Sequence, residues 1–380
     1  MKKTVILLMV LCLLVMIPQV AAAEPAIVAL RGSVRIQGLG FPVYDKDGDV
    51  RHAPASVTKV MTILLALESG RLDETVTVSQ RATTAGGSSL YMRPGSQWSM
   101  LDLIYAAQLI SANDAAAAIA EHLGGSIEGF AVMMNAKALE LGMLNTNFIN
   151  PHGMPHKDQY STAHDLTLLA LAAARNPQFI EISTTRRYVT ANQTALANQD
   201  KLLGEYRGLV IGKTGYTDAA GQCFLVVAER EGLRVAIVIL GSQGQNIWSD
   251  SVLLLDHGFD NYRNNVLFRP RQTLGVVDVA FSGKVIVVAA AGYEFVSSRN
   301  ERPPTRVELY PYPSLWPPLK PGDLVGEAVV LVDGKRSVVP LTVASYVPLF
   351  TPERLKISGV VGGLILLYAV GSAIVTRRRS

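Results

Sequence analysis

The hydrophobic pattern changes character several times along the chain, and each change marks a different kind of segment. An unbroken apolar run from Val5 to Ile17 follows Lys2 and Lys3 and gives way to Pro18 and the small residues Ala21-Ala22-Ala23. This order of basic, apolar and small residues predicts a secretory signal peptide over residues 1–23, cut before Glu24. From about residue 52 to 185 helical signals dominate, including the Ala-rich stretch Asn113 to His122, closed by Gly124-Gly125, and the segment Phe130 to Leu141, closed by Gly142. Between about 206 and 242 the pattern becomes that of strands: Leu209 to Thr214, Cys223 to Arg230 and Leu233 to Leu240, with Glu231-Gly232 as a hairpin turn. The hairpin predicts an antiparallel sheet, and helices laid on it give an α+β domain over residues 24–268.

Beyond Arg269 short β-rich runs (Val276 to Phe281, Lys284 to Ala290, Thr305 to Leu309, Glu327 to Val332, Arg336 to Leu341) are separated by Gly and Pro turns. They predict a small all-β domain over residues 269–350, a spacer or a docking site, with no chemical constellation of its own. Ile357 to Val375 then runs without a charge for about the length of a spanning helix and ends at Arg377-Arg378-Arg379. A transmembrane helix over 356–376 with a cytoplasmic basic tail over 377–380 is expected, leaving everything from Glu24 to Lys356 outside. Gly359 and Gly363 are spaced so that two such helices can pack closely, which keeps a weak homodimer open.

A net charge of +4 suggests a nucleic-acid binder until the charges are located. Five of the 35 basic residues lie in the two terminal apolar segments, which hold no acid, so the exterior carries 30 basic against 31 acidic residues, a net −1. A nucleic-acid partner is therefore not expected. Once the leader is removed Cys223 is the single cysteine, which excludes an intramolecular disulfide.

The candidate chemistry lies in three short motifs, Ser56-Val57-Thr58-Lys59, Ser111-Ala112-Asn113 and Lys213-Thr214-Gly215. The first and third each occur once, and the other Ser-X-Asn, at Ser298, follows Lys213. In that order they read as the site of a serine acyltransferase that uses lysines as bases. A helix beginning at Ser56 puts Lys59 one turn away, where it can take the serine proton if burial and Lys213 lower its pKa. The Ser56 amide, at a helix start, is a natural half of an oxyanion hole, with the Tyr216 amide as the other half. Ser111 lies on a turn and can relay a proton to the leaving amine, while Asn113 can hold the substrate backbone, although Asn113 or Asp114 also reads as a helix cap. Lys213 and Thr214 can bind a substrate carboxylate, and Gly215 lets an extended substrate lie along a strand edge. His152 and His156 are four apart, but Gly153 and Pro155 prevent the helix that would align them on zinc, so no metal or other cofactor is expected.

With these residues the chain resembles the low-molecular-mass penicillin-binding proteins, the serine-type D-alanyl-D-alanine carboxypeptidases of the peptidase S11 kind. The resemblance extends to Pro54-Ala55, Met61-Thr62, Gly87-Ser88-Ser89-Leu90, Pro94-Gly95, Asn150-Pro151-His152-Gly153, Tyr216-Thr217 and the stretch Leu319 to Val339. It implies the serine β-lactamase/transpeptidase fold, a strand pair within Ala29 to Val50, and acylation of Ser56 by peptidoglycan stem peptides ending in D-Ala-D-Ala. It also implies β-lactams as covalent inhibitors of Ser56. A DD-endopeptidase or transpeptidase shares the chemistry. A β-lactamase would need a glutamate in a Glu-X-X-Leu-Asn loop, and Glu140 to Asn145 has one residue too many and reads as a helix end. An inactive peptidoglycan-binding protein is disfavoured because Ser56, Lys59, Ser111 and Lys213 are all present.

Overall fold

The computed structural model describes residues 24–280 and 282–348, which form two compact units. The expected signal peptide and membrane helix lie outside the described residues, and among those described no helix is long and apolar enough to cross a membrane.

The first unit comprises residues 24–36, 41–230 and 234–261. It opens with strands β1 (Arg31–Ile36) and β2 (Pro42–Lys46), an antiparallel pair. A helical block follows: α1 (Lys59–Glu68), the short α2 (Gln80–Thr83), α3 (Met100–Leu109), α4 (Asn113–Gly124) and α5 (Ile127–Glu140). A two-stranded pair, β3 (Thr75–Thr77) with β4 (Gln97–Ser99), sits within it. After α6 (Ala163–Ala173), α7 (Pro177–Thr184) and the small pair β5 (Arg187–Val189) and β6 (Ala195–Ala197) come three longer strands. These are β7 (Leu209–Thr217), β8 (Gly221–Arg230) and β9 (Leu233–Ser242), closed by α8 (Asn246–Asn261). Glu231 and Gly232, both at positive φ, turn the β8–β9 hairpin as expected.

The five long strands form one sheet in the order β2-β1-β9-β8-β7, so the first strands pair with the last and β7 is left as an edge. Strand β9 is buried almost throughout, which requires cover on both faces. Its alternation supplies the reason: Ala236, Val238 and Leu240 join the large core built with α1 and α3 to α7, while Val235 faces α8, where Gly258 leaves room for it. Helix α4 ends at Gly125 in the left-handed region, a stop that the Gly-Gly pair foretells.

The second unit, residues 37–40, 231–233 and 262–348, is all β apart from its turns, among the described residues. Its main sheet runs β11-β12-β16-β15-β14, from strands β11 (Thr273–Val279), β12 (Gly283–Ala289), β14 (Thr305–Pro311), β15 (Leu324–Val332) and β16 (Lys335–Val343). These overlap the five expected strands. A further pair, β10 (Tyr262–Phe268) with β13 (Tyr293–Ser298), has no counterpart in the sequence reading. The Asn264-Asn265 stretch lacks the apolar alternation that signals a strand, and its pairing with a segment some thirty residues away is what makes it one. Val287, Ala289, Val325, Ala328, Val330 and Leu341 form a core separate from that of the first unit.

Candidate active site

Ser56 sits on a 3₁₀ turn, Ala55–Thr58, and the α-helix starts only at Lys59. The expected helix at the serine is present, but its first turn is 3₁₀. The difference favours the chemistry, because side chains three apart eclipse in a 3₁₀ turn. Lys59 Nζ stands 2.8 Å from Ser56 Oγ and donates also to the His152 carbonyl at 2.9 Å. Its second partner is held in place by packing. Gly153, at φ +86°, lies so close to the Ala55 carbonyl that a Cβ there would be 1.8 Å from the oxygen. Asn150 Oδ1 accepts from the Gly153 amide at 2.7 Å, and Thr62 Oγ1 donates to the Pro151 carbonyl at 2.6 Å. Against this loop opens a cavity of about 310 Å³, lined by Ala53, Pro54, Gly153, Met154, Pro155 and Ala219 among others.

Lys59 and Lys213 are 0 and 2 % exposed. Burial, and secondly the neighbouring Lys213, hold Lys59 well below the usual lysine range, against the opposing pull of Asp114. Burial brings Lys213 down to about 7, opposed by Asp200. His152 is pushed down to about 3, by burial and then by Lys59, so it stands neutral at physiological pH.

Ser111 occupies the turn between α3 and α4 at φ +62°, and its buried Oγ has no hydrogen-bond partner among the described residues. A left-handed serine is uncommon and is held here by its surroundings. The N-cap residue of α4 is Ala112, with no side-chain cap bond, so Asn113 does not cap the helix, while Asp114 Oδ1 does accept from the first-turn amide of Ala115 at 2.9 Å. Both polar side chains also reach the loop over 86–92. Asn113 Nδ2 donates to the Gly86 carbonyl at 2.6 Å. Asp114 accepts from Ser89 Oγ at 2.6 Å and from the amides of Leu90 and Met92 at 3.0 and 3.2 Å.

Edge strand β7 delivers Lys213 inward, its ammonium donating to the Thr214 carbonyl at 3.0 Å, while Tyr216 is 57 % exposed with its hydroxyl on Asp218. Gly215 has a different reason for being glycine from the one expected. A Cβ there would meet the Ser56 and Val57 amides at 2.8 and 3.1 Å, so the space it leaves is filled by the backbone of the serine turn. The first and third motifs are thereby interlocked.

The structure thus brings Ser56 on its 3₁₀ turn, Lys59 on α1 and Gly215 on β7 together, with the Lys213 charge close enough to bear on Lys59, while Ser111 lies on the turn before α4, Asn113 at the start of α4, and Thr214 and Tyr216 on β7. Sequence reasoning missed three contributors. Asp114 follows the second motif directly and could have been suspected as a counter-charge. The His152 carbonyl is a backbone atom, although the Asn150-Pro151-His152-Gly153 stretch already marks its loop, and Asp200 lies in a stretch with no pattern. Glu140, the residue nearest to a β-lactamase glutamate in sequence, ends α5 and pairs with Lys137 at 2.8 Å on the surface.

A profile of the D-alanyl-D-alanine carboxypeptidase family, peptidase family S11, matches residues 22–244. The D-alanyl-D-alanine carboxypeptidase DacF of Bacillus subtilis is 30% identical over 310 residues, 78% of this chain and 79% of that protein. The D-alanyl-D-alanine endopeptidase of Escherichia coli is 34% identical over 237 residues, 59% of this chain and 74% of its own length. Among solved structures, penicillin binding protein 5 from Haemophilus influenzae superposes with a TM-score of 0.65 at 26% identity, covering 86% of this chain and 99% of that one.

Proposed function

The chain belongs to peptidase family S11, the D-alanyl-D-alanine carboxypeptidases, and we propose that it removes the terminal D-alanine of peptidoglycan stem pentapeptides through an acyl-enzyme on Ser56. The observation that carries the reading is the Ser56–Lys59 contact of 2.8 Å, made by a lysine whose burial favours the neutral, proton-accepting form.

Each group then has one task. Lys213 and the Thr214 hydroxyl take the terminal carboxylate, and Asn113 holds the preceding peptide. Ser56 Oγ attacks the D-Ala-D-Ala carbonyl as its proton passes to Lys59. The oxyanion that forms is met by the amides of Ser56 and Tyr216. Ser111 carries the proton from Lys59 to the leaving nitrogen, the C–N bond breaks, and free D-alanine departs. Water adds to the ester with Lys59 again as base, and Ser56 recovers its proton. β-Lactams acylate the same serine, and with Glu140 tied to Lys137 the acyl-enzyme they leave turns over slowly.

The basic-apolar-small leader and the uncharged run from Ile357 to Val375 before three arginines support an exported enzyme held at the membrane by its C-terminal segment. Similarity to an endopeptidase supports a second reading, cleavage of cross-linked peptides by the same chemistry.

The test uses the full chain in detergent with diacetyl-Lys-D-Ala-D-Ala and, separately, a fluorescent penicillin. Release of D-alanine and a covalent label are expected, both lost in Ser56→Ala. Label without D-alanine release would overturn the carboxypeptidase assignment, and absence of both would overturn the serine mechanism.

A further inference from the structure

The antiparallel order of the main sheet in the second unit brings three chain segments to one end of it. These are the β11–β12 hairpin at 280–282, the long connection from β14 to β15 over 312–323, and the exit from β16 over 344–348. Hydrogen bonds tie them together. The Ala280 amide donates to the Leu315 carbonyl at 3.0 Å, Leu319 and Val347 exchange bonds of 3.0 and 2.8 Å, and Ser282 Oγ donates to the Pro348 carbonyl at 2.7 Å. At this end Tyr310, Tyr312, Trp316, Leu324 and Tyr346 stand between 42 and 60 % exposed. The only charged residues between Pro311 and Leu324 are Lys320 and Asp323. The opposite end of the same sheet has the reverse character. There the turn 333–336 meets the approach to β14, with the Asp333 amide on the Pro304 carbonyl at 3.0 Å, and the side chains are Arg299, Glu301, Arg302, Asp333, Lys335 and Arg336. Large apolar side chains gathered in solvent at one end of a small domain mark a contact surface. Rings with an apolar body and a polar tip suit the boundary between water and hydrocarbon.

We propose that this end of the second unit rests on the lipid surface, with Trp316, Tyr312 and Tyr346 at the level of the headgroups. The proposal rests on the C-terminal anchoring given above and adds to it the face that touches the membrane. The course of the chain is what selects lipid as the occupant. Strand β16 leaves the sheet at this end, and the uncharged run that begins at Ile357 follows Pro348 closely in sequence. A segment of that length spans at most about 30 Å even when fully extended. The charged end lies a further strand length away, roughly 25–30 Å along the nine residues of β16. An anchor in the bilayer therefore draws the aromatic end toward the lipid and leaves the charged end in water. Lys320 can keep its ammonium among the headgroups while its stem lies along the apolar surface. A patch of this size orients the unit and is too small to hold the chain on a membrane by itself.

The test uses tryptophan emission. The chain has three tryptophans, and Trp98 and Trp248 belong to the first unit, so Trp316 reports on the second. The full chain is reconstituted into vesicles of phosphatidylcholine and phosphatidylglycerol whose acyl chains carry bromine either near the headgroup or near the bilayer centre. Flotation of the vesicles reads anchoring, and loss of emission reads contact. Wild type is expected to float and to lose emission, more to the shallow bromines than to the deep ones. Trp316→Phe should float and lose none. The double variant Trp98→Phe/Trp248→Phe, which keeps Trp316 alone, should show the full loss and decides the matter if Trp316→Phe does not fold. A chain that floats unquenched, a stronger response to the deep bromines, or quenching unchanged in Trp316→Phe would overturn the proposal and leave the anchoring standing. A chain that does not float would overturn both.

Discussion

At the scale of single residues the site is built on two lysines that the fold holds away from water. Removing a lysine from water disfavours its charged form, so each contributes chemistry and lowers stability at once. The sign can be worked out for Lys213, held down at about 7 against an ordinary 10.5. Below pH 7 both folded and unfolded chains are protonated there and the folding penalty is full; it fades as pH rises toward 10.5, where the unfolded chain also gives up its proton. Lys213→Met, with an apolar side chain of similar length, is therefore expected to raise the melting temperature at pH 6, by the equivalent of about 1–3 kcal/mol, and to gain less at pH 9. The same variant should lose carboxypeptidase activity. Thermal melts at the two pH values check this, and a variant less stable than wild type at pH 6 would show that burial of the charge is not what holds Lys213 down.

At the scale of elements, close backbone approaches align the motifs. The 3₁₀ turn stacks Lys59 on Ser56, Gly215 lets β7 touch the amides of that turn, and Gly153 presses the His152 loop onto Ala55. Gly142 offers a control, since it has φ +80° but open space around it. Gly142→Ala should lower stability by about 1 kcal/mol through φ alone and leave activity unchanged. Gly153→Ala adds a backbone collision 1.8 Å from the Ala55 oxygen, so the loop must move and Lys59 lose its carbonyl partner. We expect a melting temperature lower by about 5 °C and kcat reduced at least tenfold. Equal activity in the two alanine variants would mean that the His152 carbonyl does not position Lys59.

At the scale of the whole molecule, two units with separate cores lie between two apolar terminal segments. All the side chains of the proposed mechanism come from the first unit. A chain ending at residue 348 is thus expected to leave the membrane fraction while its extract still releases D-alanine. Cell fractionation with the peptide assay reads both, and a truncated protein that stays with the membrane would refute C-terminal anchoring.

Much of this protein was legible in order along the chain. Periodicity marked the helical block, the β8–β9 hairpin and five strands of the second unit, because side-chain alternation and turn residues are local properties. Three motifs in sequence order sufficed for the chemistry, since a nucleophile and its base one turn apart need only a local helix. What remained hidden was whatever depends on distant segments meeting. The pairing of β1 with β9, the strand β10, the His152 carbonyl on Lys59 and the carboxylate of Asp200 against Gly212 arise from contacts between residues far apart in sequence. Burial belongs to the same class. Sequence places two lysines in the motifs, but only tertiary packing excludes water from both, and that exclusion is what holds each below the ordinary lysine range and lets Lys59 accept a proton.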